Sequence, residues 1–203
     1  MSGAAYVGDS IAALLDDYKF AVAMTPLPSL PDIRLAAVAD AAALAELGRR
    51  TFSDAFAADN TPEDLAVFLD LTYSPQIQRD ELQDPALTCL LAEQDGALVA
   101  YALLRTGKTS PYVIDPAAIE LQRFYVDQPA HGTGLAHRLM QECVDHAAGL
   151  GASTVFLGVF ERNVRAIRFY RKHGFEVVGS QVFRVGTDDQ RDFVMARSVR
   201  MSD

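Results

Sequence analysis

The chain has 203 residues, enough for one domain with a sizeable core, and its 50% hydrophobic, 22% charged composition is that of a globular protein rather than a disordered or fibrous one. A net charge of −9 argues against nucleic acid or an anionic membrane as a partner, because both reward basic patches. Cys89 and Cys143 lack metal-ligand spacing and read as buried free thiols; Asp9, Asp16 and Asp17 interrupt any apolar leader, and no run is long enough to span a bilayer. The expectation is a cytoplasmic protein without a metal.

In chain order, Ile11, Leu14, Leu15 and Tyr18 mark a short helix within residues 1–23, and Pro26, Pro28 and Pro31 then impose an extended linker. Residues 1–31 are thus an appendage, and 32–200 the main domain. A strand is expected at Ile33–Leu35, then an Ala/Leu-rich helix capped by Asp40 and reaching Phe56. Thr61, Pro62, Glu63 and Asp64 combine a cap, a proline at the first helical position and first-turn acids, opening a helix to about Leu71; more helix follows at Pro75–Leu82. Strands Thr88–Glu93 and Leu98–Arg105 flank an Asp95-Gly96 hairpin turn, and Ile119–Val126 is the next strand. Leu135, Leu139, Cys143, Ala147 and Leu150 recur at helical spacing; a strand at Thr154–Phe160, a helix from Val164 ending at Gly174, and strands near Glu176–Val185 and Arg191–Ser198 complete the chain. This order predicts an α/β fold of mixed sheet character, since hairpins pair antiparallel and strand-helix-strand units pair parallel.

Between strand 119–126 and the next helix lies Gln128-Pro129-Ala130-His131-Gly132-Thr133-Gly134-Leu135-Ala136. Glycines at a strand-to-helix turn permit positive φ and close approach of a ligand, and the first N–H groups of a helix attract an anion. A tight turn without a ligand satisfies the same pattern. A Walker loop is excluded because no Lys-Ser/Thr pair follows Gly134, and a dinucleotide fingerprint lacks its third glycine and its place early in a βαβ unit.

A second constellation, Leu157-Gly158-Val159-Phe160-Glu161-Arg162-Asn163 with Ala166, Phe169-Tyr170, Arg171-Lys172 and Gly174-Phe175, follows at a fixed distance. Together the two segments resemble the GNAT superfamily of acetyl-CoA-dependent N-acetyltransferases, over roughly Ile33 to Val199. The resemblance implies the acyl-CoA N-acyltransferase fold, a central and mostly antiparallel sheet splayed at the cofactor site and flanked by helices. It implies that His131, Gly132, Thr133, Gly134, Leu135 and Ala136 wrap the pyrophosphate of coenzyme A, with His131 standing where the family has Gln or Arg. It implies that Phe124, Tyr125 and Val126 pair with the pantetheine arm like an added strand, and that Asn163, Ala166, Phe169 and Lys172 lie along the cofactor. A homodimer is implied by the resemblance alone.

In the same resemblance Tyr170 protonates the departing thiolate, a role suited to a phenol near developing negative charge; an aromatic on a helix face is the alternative. Glu120 is the candidate base, able to share a face with Gln122 and Phe124 by strand alternation, or else a solvated edge carboxylate. Asn163 also serves as an N-cap, and Arg171 and Lys172 also suit the negative end of a helix dipole. A narrower resemblance, through Thr51-Phe52, Phe56, Asn60–Leu65 and Gly186–Gln190, is to bacterial spermidine/spermine N-acetyltransferases, with Asp54, Asp59 and Glu120 as sites for an acceptor's cations. Peptide or protein amines, and a non-catalytic acyl-CoA-binding module, are the competing readings.

Overall fold

The computed structural model describes residues 30–185 and 188–199; the helix expected within residues 1–23, Pro26, Pro28 and the Gly186-Thr187 pair lie outside them. From Asp32 onward the chain forms a seven-stranded sheet: β1 (Asp32–Leu35), β2 (Leu87–Gln94), β3 (Ala97–Arg105), β4 (Ile119–Val126), β5 (Thr154–Phe160), β6 (Glu176–Val185) and β7 (Asp188–Ser198). Their order is β1-β2-β3-β4-β5-β7-β6, and every neighbouring pair is antiparallel except β4–β5. The expected mixed, mostly antiparallel sheet is therefore present. Asp95 at φ 51° and Gly96 at φ 79° supply the two positive φ values that a tight hairpin turn between β2 and β3 requires.

Three helices, α1 (Ala41–Phe56), α2 (Pro62–Thr72) and α3 (Pro75–Gln83), precede β2. The start of α1 departs from expectation. Asp40 has helical backbone angles and no capping bond into α1, because the chain enters through a 3-10 turn, Val38–Asp40. Its carboxylate instead accepts from the Ala37 N–H at 2.7 Å and pairs with Arg34 on β1 at 2.8 Å. By contrast, Thr61 Oγ1 accepts from the Asp64 N–H at 3.1 Å with Pro62 at the first helical position, and Ser74 Oγ accepts from the Ile77 N–H at 3.2 Å ahead of Pro75.

Leu44, Leu47 and Phe52 of α1 pack with Tyr73 against Leu91, Tyr101 and Leu103 on one face of the sheet. On the other face lie α4 (Leu135–Gly149) and α5 (Val164–Lys172), whose Leu139, Met140, Cys143, Ala147 and Ile167 meet Val155, Leu157 and Met195. Both cysteines are buried and free, and burial pushes the Cys89 thiol up to about 12, so neither is a ready nucleophile.

Candidate active site

β4 and β5 run parallel but pair only at Ile119–Val155 and Glu120–Phe156. Beyond that point β4 keeps β3 as its partner as far as Val126, while its other edge is left without β5. A bulge between Leu103 and Leu104 on β3 makes Gln122 the extra residue of β4, and such bulges add local twist. The extra residue also reverses the alternation. Phe124 and Val126 join Ile119 and Leu121 on the α4 side, whereas Tyr125 packs on the α1 side. The expectation that Glu120 shares a face with Phe124 is therefore corrected: Glu120 stays on the α1 side and Phe124 has turned away. Past the bulge, Arg123 binds Glu81 of α3 through two bonds of 2.7 and 2.8 Å and lies over the Tyr73 ring, fixing the strand where it diverges.

The loop after β4 is held by Asp127, whose carboxylate takes Arg50 of α1 at 2.7 Å and the Gln128 N–H at 3.1 Å. His131 Nε2 lies 2.8 Å from the Val126 carbonyl; a carbonyl only accepts, so Nε2 carries the proton. This ring is thus engaged with the strand end, while the backbone beyond it is open. Gly132 and Gly134 have φ of 79° and 85°, and no atom lies within 4 Å of where a Cβ on either would stand. Conformation, not crowding, demands glycine there, and the space in front of the turn is clear. Thr133 Oγ1 donates to the Ala130 carbonyl and accepts from the Leu135 N–H, the first of α4. Among the described residues, the N–H groups of Gly132, Thr133 and Gly134 have no backbone partner. Exposed donors at a helix N-terminus, with Ala136 in the first turn, are an arrangement suited to an anion.

Helix α5 closes the other side of the cleft. Asn163 Oδ1 accepts from the Ala166 N–H at 3.0 Å as its N-cap. Phe169 stacks on Phe124 with centroids 5.5 Å apart, which docks α5 on the splayed end of β4. Tyr170 is buried, edge-on to Phe124, Phe169 and Phe175. Its hydroxyl has no hydrogen-bond partner among the described residues, and burial, with Cys143 nearby, raises its pKa well above that of a free phenol. A 2.9 Å contact between His137 Nδ1 and His173 Nε2 brings the end of α5 to the first turn of α4, with exposed Arg171 and Lys172 at that end.

On the α1 side of the sheet, Glu120 is half-buried; desolvation raises its pKa, opposed by Lys108 and Arg105. The wall here is aromatic: Phe56 faces Phe160 at 6.5 Å and Phe68 faces Phe183 at 5.9 Å, while Gln190 on β7 donates to Asn60 between α1 and α2 at 2.7 Å. Asp59 pairs with Arg162 at 3.5 Å. Among the described residues no group of three His, Cys, Asp or Glu could hold a metal ion, and no helix is long and apolar enough to cross a membrane.

The model of the acetyltransferase (GNAT) family matches residues 49–175, more than half of the chain. The chain belongs to the GNAT family. It is 39% identical over 160 residues to an uncharacterized N-acetyltransferase of Mycobacterium tuberculosis, covering 79% of this chain and 98% of that one. It is also 34% identical, over only 64 residues, to a spermine/spermidine N(1)-acetyltransferase of Bacillus subtilis, covering 31% of this chain and 42% of that one. In fold it is similar to the PaiA N-acetyltransferase of Thermoplasma acidophilum, solved in complex with coenzyme A, with a TM-score of 0.68, 20% identity, and coverage of 84% of this chain and 99% of that one.

In this GNAT enzyme the residues singled out from sequence fall into two groups. Phe124, Val126, Leu135, Ala166, Phe169 and Tyr170 pack together on the α4 side, with the exposed 131–134 turn, Asn163 and exposed Lys172 at the ends of the same elements, while Tyr125 and Glu120 face the α1 side. Asp54 is exposed on α1. Three features around these residues had no sequence expectation: the Arg123–Glu81 clamp, the His137–His173 contact, and the buried carboxylate of Asp192 on β7. Nothing local in Asp192-Phe193-Val194 marks the burial of Asp192, because both faces of this part of β7 are covered by other elements.

Proposed function

We propose that this GNAT enzyme transfers the acetyl group of acetyl-CoA directly to an amine of a small cationic acceptor, a polyamine such as spermidine. The observation that carries the reading is the parting of β4 from β5 after Glu120, which opens an unpaired strand edge leading to the free N–H groups of Gly132, Thr133 and Gly134. That edge and cradle fit an extended arm ending in a pyrophosphate. The coenzyme supplies the acetyl thioester; the chain supplies the rest. Phe124 to Val126 orient the arm, the loop backbone binds its phosphates, and Asn163, Ala166, Phe169 and Lys172 line its path. Tyr170 Oη, kept protonated by burial, holds the proton that the leaving sulfur needs. Glu120, on the opposite face, offers a carboxylate to the acceptor, as base or as anchor for a cation.

Three features favour a polycationic acceptor: the net charge of −9, carboxylates on the acceptor face, and the partial similarity to a spermine/spermidine N(1)-acetyltransferase. Release of free thiol from acetyl-CoA, measured against polyamines, amino acids and N-terminal peptides, tests the reading. Turnover with spermidine above the others is expected. Turnover confined to peptides would replace the acceptor, and acetyl-CoA binding without turnover on any amine would favour a non-catalytic module.

A further inference from the structure

Asp192 is only 7% exposed, lies opposite Phe160 of β5 and Gln181 of β6, and is the most deeply buried carboxylate among the described residues. A Cβ built on Gly158 would stand 2.9 Å from Gln181 Nε2 and 3.3 Å from Asp192 Oδ2, so both side chains converge on a bare Cα. Gly158 is exposed although Leu157 and Val159 on either side are buried, and it lies two residues beyond the last pairing of β5 with β4. The convergence point is therefore the mouth of the splayed cleft, on the α1 side. Other charged groups nearby are committed: Arg162 to Asp59 and Arg191 to Glu161, each at 3.5 Å, and Arg184 to Asp189 at 2.6 Å. Glu120, from β4, faces Arg105 and Lys108. Among the described residues no hydrogen bond or ion pair engages Asp192, and desolvation raises its pKa, so its carboxylate is available to a group entering at Gly158.

We propose that Asp192 is the proton acceptor for the incoming amine, with Gln181 positioning the nitrogen over Gly158; the proposal rests on the acetyltransferase reading above. An entering ammonium hydrogen-bonds to Asp192 and passes it one proton. The freed lone pair forms the N–C bond as the C–S bond of the thioester breaks. Tyr170 gives its proton to the departing sulfur and regains one from the acylated nitrogen, and Asp192 returns its proton to water, so that one ammonium and one thioester yield one amide, one thiol and one proton. Burial lifts the Asp192 pKa to about 6, near the value a base working at neutral pH needs. Glu120, on the same face and half-buried, is left as an anchor for a second cation of the acceptor.

The experiment compares the full chain with Asp192→Asn, which keeps the shape of the side chain. Acetyl-CoA affinity by calorimetry is expected to be unchanged. The wild-type kcat/KM for spermidine should rise with pH through an apparent pKa near 6, and the variant should lose that limb together with about 10²–10⁴-fold in rate. Independently of turnover, the Asp192 carboxyl carbon, followed by NMR in the coenzyme A complex, should titrate near 6, and spermidine should lower that value. Retention of the acidic limb by Asp192→Asn, or a carboxyl that titrates in the ordinary range and ignores spermidine, overturns the assignment. Failure of the wild type to bind acetyl-CoA would instead overturn the acetyltransferase reading.

Discussion

Replacing Tyr170 by Phe removes one oxygen and leaves the ring contacts with Phe124, Phe169 and Phe175 in place. The hydroxyl has no partner among the described residues, so its removal breaks no protein hydrogen bond and should change stability little. Melting temperature and acetyl-CoA affinity should therefore stay near wild type. If Tyr170 delivers the proton to the leaving sulfur, kcat should fall by about 10²–10⁴-fold, the usual worth of a positioned general acid. Because burial holds the phenol protonated beyond the ordinary range, the wild-type rate should show no loss attributable to this group up to the pKa of a free phenol. Thiol release across pH, with calorimetry on both proteins, reads each quantity separately. Undiminished kcat in the variant at every pH would refute the role. Equal losses in affinity and rate would show that Tyr170 shapes the cleft rather than moving a proton.

Gly134→Val forces a β-branched residue into a φ of 85°, where L-residues are disfavoured by about 1–2 kcal/mol or more; the loop should relax away from the cradle geometry, and acetyl-CoA affinity by calorimetry should drop about tenfold or more. Asp192→Asn should raise stability at neutral pH. Folded Asp192 holds its proton up to about pH 6 against 3.8 for the model carboxyl, so the native state is penalised as pH rises from about 4 to 6 and fully above. The gain on removing the charge is at most about 3 kcal/mol above that window and vanishes below it; urea unfolding at several pH values reads it, and an equal difference at every pH would contradict the linkage. Glu81→Gln leaves Arg123 without its carboxylate in a site where the two side chains are 19% and 11% exposed; a loss of about 3 kcal/mol, measured by denaturant unfolding, is expected for breaking a largely buried pair.

Legibility in the sequence followed the range of the interactions concerned. The glycine loop could be read directly because its φ values of 79° and 85° are local demands that only glycine meets easily. Likewise Thr61 and Pro62 determine the start of α2 through a bond to a residue three positions on. The face of Phe124 could not be read, because the bulge at Gln122 carries no glycine or proline to announce it and arises from pairing with Leu103 and Leu104 on β3. Asp40 looked like a cap, yet its carboxylate is drawn to Arg34 across the entry turn, a tertiary contact that outweighs the local preference. Asp192 is the sharpest case. Its burial is made by Phe160 and Gln181, paired with it across two different strands, so its protonation depends on the register of the finished sheet.

Acetyl-CoA held between β4 and β5, with its phosphates on the glycine loop, should leave a footprint on the backbone amides there. Amide hydrogen exchange of the full chain with and without acetyl-CoA tests it most directly. Slowed exchange is expected at Phe124 to Val126 and at Gly132 to Ala136, with little change in β1 or β2. Protection elsewhere, with the amides of Gly132, Thr133 and Gly134 exchanging as freely as before, would contradict it.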